Sequence, residues 1–122
     1  MTRRILVVDD QEDNRRILRD LLTSAAFAVI EATTGEDAVT LAEAQTPDLI
    51  LMDIQLPGID GYEATRRIKA KPALKTTPLI VVTSYALSGD EAKAFIAGAD
   101  AYVSKPFSPR ALLAKVREFL PP

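Results

Sequence analysis

Asp53 closes the apolar run Leu49-Ile50-Leu51-Met52, and Asp9 and Asp10 close a second run, Ile5-Leu6-Val7-Val8. Thr83 ends a third, Leu79-Ile80-Val81-Val82, and Ser104-Lys105-Pro106 follows a fourth, Ala101-Tyr102-Val103. Taken singly, each has an ordinary reading: an Asp that opens a loop, acids that cap a helix, a β-branched strand residue, a solvated lysine. Gathered in one place, they have a definite chemistry. Like charges ~4 Å apart repel by roughly 4 kcal/mol at an effective dielectric near 20, so three clustered carboxylates require a cation. Hard oxygen ligands in a chain without His or Cys point to Mg²⁺, which binds through one or two carboxylates and keeps several waters. Lys105 adds a fixed positive charge and Thr83 a hydroxyl donor. Such a site suits a phosphoryl group, whose oxygens carry the charge during transfer. Asp53 would either orient the metal or act as the nucleophile and become an acyl phosphate.

What must gather these residues is the order of the elements between them. Arg4 to Asp10, Phe27 to Ile30, Asp48 to Asp53, Leu79 to Thr83 and Ala101 to Ser104 read as five short strands, the first and third ending in their acids. Helical patterns alternate with them. The first spans Asp13 to Ala25 with a stripe of Ile17, Leu18, Leu21 and Leu22. The second opens at Thr34-Gly35-Glu36-Asp37, with a hydroxyl to cap and acids in the first turn, and stops before Pro47. The third opens at Asp60-Gly61-Tyr62-Glu63, carries Ile68 and ends near Pro72. A capping box, Ser88-Gly89-Asp90-Glu91, predicts the fourth, with Ala92, Phe95, Ile96 and Ala99 at helical spacing and Gly98 at its C-cap. The fifth starts at Ser108-Pro109 and carries Leu112, Leu113, Val116, Phe119 and Leu120. This alternation with short connections argues for an α/β fold, a parallel sheet with helices on both faces. In such a sheet all C-terminal strand ends meet at one edge, where open α/β folds bind ligands.

The totals limit the alternatives. The 122 residues suit one domain spanning 1–122, with no linker or repeat and only Pro121 and Pro122 after the last helix. A net charge of −2 offers no basic surface for nucleic acid. No apolar run approaches membrane-spanning length, and Met1-Thr2-Arg3-Arg4 leads directly into a strand, not a signal peptide. The absence of cysteine removes disulfides and thiol chemistry and fits a cytoplasmic location. Without histidine there is no Ser-His pair, imidazole zinc site or phosphohistidine on this chain.

The motifs Val8-Asp9-Asp10, Leu51-Met52-Asp53-Ile54-Gln55-Leu56-Pro57-Gly58, Val82-Thr83-Ser84 and Tyr102-Val103-Ser104-Lys105-Pro106-Phe107 closely resemble those of response regulator receiver domains in two-component systems. The resemblance covers essentially the whole chain, and it is specific because separated segments must agree. It implies the doubly wound, flavodoxin-like five-stranded sheet of order 2-1-3-4-5 with five helices. By the same resemblance, Asp53 is the phosphoacceptor in a phosphorelay, charged by a histidine kinase or a histidine phosphotransfer protein. Asp10 and Asp53 would ligate Mg²⁺ with the backbone carbonyl of Gln55, and Asp9 would act directly or through water. Lys105 would pair with the phosphoryl group, Thr83 would hydrogen-bond it, Tyr102 would be the aromatic switch, and the Lys105-Pro106 bond would be cis. A downstream protein would read the face formed by helix 4, strand 5 and helix 5. Two subgroups look similar: receivers attached to hybrid sensor kinases and stand-alone regulators of the DivK type. Leu56 stands where Met is common and Ser84 where Ala is common, while Gln55 and Tyr85 occupy the two variable positions thought to tune dephosphorylation.

Two other readings compete. A haloacid-dehalogenase-like phosphatase also uses an Asp nucleophile, but it carries a second Asp two residues later, where this chain has Gln55. A degenerate receiver that only binds partners would not need Asp9, Asp10, Asp53, Thr83 and Lys105 together. The expectation is therefore a phosphoacceptor signalling domain, not an enzyme acting on free substrates.

Overall fold

A computed structural model describes residues 2–84 and 90–121. The expected N-cap at Ser88 and the variable position at Tyr85 lie outside the described residues. Five strands are present: β1 (Arg4–Val8), β2 (Ala28–Ala32), β3 (Leu49–Met52), β4 (Leu79–Thr83) and β5 (Ala101–Ser104). Between and after them run α1 (Glu12–Ser24), α2 (Gly35–Gln45), α3 (Gly61–Lys69), α4 (Asp90–Ala97) and α5 (Pro109–Phe119), with a short 3₁₀ turn at Pro72–Leu74. All pairings are parallel, in the order β2-β1-β3-β4-β5. This is the doubly wound fold that the resemblance implied.

The strands alternate their side chains between two apolar layers, as a period of two requires. Leu6, Val8, Ile50, Met52, Leu79 and Val81 pack toward Ala38, Ala42, Ala64, Ile68 and Ala94 of α2, α3 and α4. Ile5, Val7, Leu49, Leu51, Ile80 and Val82 pack toward Leu18, Leu22, Leu112 and Val116 of α1 and α5. Because both faces are covered, the strands read as continuous apolar runs rather than alternating ones. The expected caps close three helices: Thr34 Oγ1 accepts from Asp37 N–H (3.0 Å), Asp60 Oδ1 from Glu63 N–H (2.9 Å) and Ser108 Oγ from Ala111 N–H (2.9 Å). Gly98 ends α4 at φ +116°, the left-handed conformation that favours glycine after a helix. Among the described residues no helix is long and apolar enough to cross a membrane.

Two expected stripes need correction. Ile17 is 53% exposed, and α1 turns only Leu18 and Leu22 fully inward. On α4 the inward residues are Asp90, Ala94 and Ala97, leaving Ala92 exposed, Phe95 45% exposed and Ile96 83% exposed. The cause on α4 is steric: small alanines let the helix approach its neighbours, and the larger side chains at adjacent positions then point outward.

Candidate functional site

The first crossover places β2 on one side of β1, and the later ones build the sheet out on the other side. Connections therefore leave in opposite directions at β1 and β3, and the ends of these neighbouring strands border a crevice. Val8 pairs with Met52, and Asp53 N–H donates to Val8 C=O at 3.0 Å. One residue further along each strand, Asp9 and Asp53 come side by side. Asp10 follows Asp9, and one carboxylate oxygen from each of the three acids lies within 4.8 Å of the others.

Their environments differ. Asp9 is 1% exposed. Its Oδ1 accepts from Gln11 N–H (2.9 Å) and, at 3.4 Å, from the Asn14 amide, while its Oδ2 meets Lys105 Nζ at 2.9 Å. Arg15 donates to the Asp9 carbonyl at 2.9 Å. Asp10 is exposed. Asp53 is 9% exposed; its Oδ1 accepts from Ile54 N–H at 2.7 Å, and its Oδ2 lies 3.7 Å from Lys105 Nζ. Burial pushes the Asp53 carboxyl above its usual range; the Lys105 ammonium opposes this, the Asp9 charge adds to it, and hydrogen bonds from Ile54 and Thr83 oppose it.

Lys105 reaches the site because its N–H donates to Thr83 C=O at 2.9 Å, continuing the β4–β5 ladder past Ser104. The peptide bond that follows, Lys105-Pro106, is cis as expected. Thr83 is fully buried at the end of β4 with its hydroxyl directed to Asp53. Tyr102 is half-buried on β5 and packs with the layer under α3 and α4. Gln55 is exposed in the loop leading to α3. All the residues singled out from the sequence as carrying charge thus converge on one edge.

Residues beyond that set also shape the site. Asn14 and the Gln11 amide orient Asp9, and the Ile54 amide orients Asp53. Gly61 lets α3 start against the end of β3, since a Cβ there would lie 2.1 Å from the Asp53 carbonyl oxygen. Only its place in Asp60-Gly61, at a helix start, hinted at this.

The donor set fits a small hard cation. Octahedral Mg²⁺ with bonds of ~2.1 Å sets its ligand oxygens ~3 Å apart in cis and ~4.2 Å in trans. One oxygen from each of the three carboxylates lies within 4.8 Å of the others, close enough for small movements to bring them around one ion, and Asp10 is open to solvent for its entry.

Residues 5–117 match the family model described as the response regulator receiver domain. The chain belongs to that family. It is 38% identical over 120 residues to the polar-differentiation response regulator DivK of Brucella ovis, covering 98% of each chain. Among solved structures, it is similar to the receiver domain of a sensor histidine kinase from Pseudomonas aeruginosa PAO1, described with magnesium coordinated in its active-site cleft. That match has a TM-score of 0.92 at 36% identity and covers 98% of both chains. A CheY-like receiver domain protein from Methanospirillum hungatei JF-1 matches with a TM-score of 0.90 at 34% identity, over 98% of this chain and 94% of that one. This receiver works in phosphorelay signal transduction, and both subgroups expected from the sequence, DivK-type regulators and sensor-kinase receivers, stand among its relatives.

Proposed function

We propose that Asp53 is the phosphoacceptor, and that residues 1–122 act as one receiver unit charged by a histidine kinase or a histidine phosphotransfer protein. The observation that carries this reading is the position of the Asp53 carboxylate, with Oδ1 held by the Ile54 amide and Oδ2 turned toward Lys105. Oδ2 is the attacking oxygen. It forms a P–O bond as the donor's P–N bond breaks, and the electron pair of that bond leaves with the donor imidazole. Lys105 then exchanges part of its pairing with Asp9 for the incoming phosphoryl oxygens, and Thr83 donates its hydroxyl to another of them. Asp10, Asp53 and the Gln55 carbonyl would hold Mg²⁺, with Asp9 acting directly or through water. The ion, when bound, neutralises charge on the transferring group. The absence of any second Asp at position 55 favours this role over hydrolysis of free phosphoesters.

The donor's route is a groove of about 350 Å³ beside Lys105, lined by Ile17, Leu18, Pro106, Phe107 and Pro109. It suits the apolar face of a donor helix that carries the phosphohistidine, and Ile17 on α1 is its exposed rim. A downstream protein reads the face of α4, β5 and α5, where Phe95 and Ile96 are exposed. Nucleic acid plays no part in this reading. The cysteine-free chemistry suits the reducing cytoplasm.

The test is Asp53→Asn with acetyl phosphate and Mg²⁺. The near-isosteric variant should keep the fold and lose acid-labile phosphate, whereas labelling at full stoichiometry would place the acceptor elsewhere. Turnover of free phosphoesters by the wild type would favour a phosphatase instead.

A further inference from the structure

Tyr62 stands next to the residue that anchors α3 to the acceptor strand. Gly61 N–H donates to Ile54 C=O at 2.8 Å, and the glycine lies too close to the Asp53 carbonyl for any side chain. The start of α3 therefore cannot shift without moving the backbone of Asp53. One residue on, the Tyr62 hydroxyl donates to the Asp90 carbonyl at 3.2 Å. Asp90 is the first residue of α4 and is 3% exposed. A single side chain thus links the acceptor's own backbone to the beginning of the helix whose outer face presents Phe95 and Ile96.

We propose that Tyr62 is a positioning residue that ties the start of α4 to the acceptor strand and favours the arrangement without a phosphoryl group, so that its hydroxyl bond is lost when the α4 surface rearranges. This rests on the reading of Asp53 as acceptor. It adds a route from site to surface through α3, beside the phosphoryl contact and aromatic switch that the resemblance implies for Thr83 and Tyr102.

Two further observations support the link. Burial and the Asp90 carboxylate push the Tyr62 phenol up to about 12, so the donor proton is present at every physiological pH. The charge of Asp90 also acts on Tyr102, whose phenol is raised chiefly by burial and next by Asp90. Tyr62 and Tyr102 pack against the same apolar layer, so Asp90 stands within electrostatic reach of both aromatics.

Tyr62→Phe removes the hydroxyl and keeps the ring. A neutral hydrogen bond present in only one of two states biases them about fivefold. By linkage, its loss should tighten the binding of a phosphoryl mimic by a similar factor. The experiment is calorimetric titration of wild type and Tyr62→Phe with beryllofluoride in saturating Mg²⁺. Binding about fivefold tighter in the variant supports the tie, because mere structural damage weakens binding or leaves it alone. Unchanged or weaker binding beside a competent wild type overturns it. A wild type that does not bind beryllofluoride overturns the acceptor reading, and hydrogen exchange in metal-free protein then judges the tie by itself. Exchange about fivefold faster at the amides of Ala94 to Ala97, with α1 unaltered, supports it; unchanged exchange in α4 overturns it.

Discussion

Adjacent residues Asp9 and Asp10 have the same side chain and opposite surroundings. Asp9 is enclosed, with the Gln11 amide, the Asn14 amide and Lys105 around its carboxylate. Asp10 faces solvent, so it is the acid free to take up a hydrated cation without losing a protein partner. Lys105 cannot neutralise three carboxylates alone, and the residual repulsion is what a divalent ion would relieve. Mg²⁺ should therefore stabilise the fold, by roughly 1.4 kcal/mol when the free ion is about tenfold above its Kd. Thermal melts with and without Mg²⁺ should show that shift in the wild type and lose it in Asp10→Ala. Equal shifts in the two proteins would mean that the ion binds elsewhere.

At the scale of the element, the ends of α1 and α4 follow one design with different residues. After α1, Ala26 N–H donates to Thr23 C=O and Phe27 N–H to Leu22 C=O, the paired bonds of a helix end that reverses through a left-handed residue. That residue is Ala26, at φ +72°, whereas α4 uses Gly98 in the equivalent place. A Cβ in the left-handed region costs roughly 1–2 kcal/mol, while a glycine loses about 0.5–1 kcal/mol through its freer unfolded chain. Ala26→Gly should thus stabilise the protein by about 0.5 kcal/mol, a net gain visible as a higher urea midpoint at constant slope. A lower midpoint would show that the alanine methyl makes packing contacts worth more than the strain.

For the whole molecule, the sheet separates two apolar layers, and in this reading α5 serves both partner faces. The layer of α1 and α5 borders the groove beside Lys105, where a donor would approach, and the layer of α3 and α4 carries Tyr62, Tyr102 and the exposed Phe95 and Ile96. Asp53 lies at the sheet edge between them. On the proposed acceptor a phosphoryl group would add about −1.5 to −2 charge, but charge alone moves nothing unless an element has two arrangements that it can bias. Thr83 is fully buried at the end of β4, one strand from Tyr102, and we propose it as the side chain that senses the group. Thr83→Ala should accept phosphate from acetyl phosphate yet lose phosphorylation-dependent partner binding in a pull-down or titration. Should the phosphorylated variant bind as wild type does, the Thr83–Tyr102 coupling is wrong.

The sequence by itself determined the parts whose signals are local. Apolar runs ending in Asp9, Asp53 and Thr83 marked the strands, because strands buried on both faces leave charge only at their ends. Thr34, Asp60 and Ser108 marked helix starts, because a cap is a bond between residues three apart. Tertiary structure decided what depends on partners far along the chain. Periodicity showed that α4 has an apolar side but not which side would meet the protein, and the close approach allowed by Ala94 and Ala97 turned Phe95 and Ile96 outward. The same limit hid Ile17 at the rim of a groove and Tyr62 as the bond between α3 and α4. Lys105 was expected to serve a phosphoryl group, yet here it bonds first to Asp9, 96 residues away. That pairing exists only because strand order brings β1, β3, β4 and β5 to one edge, and strand order is a property of the packed sheet, not of any segment within it.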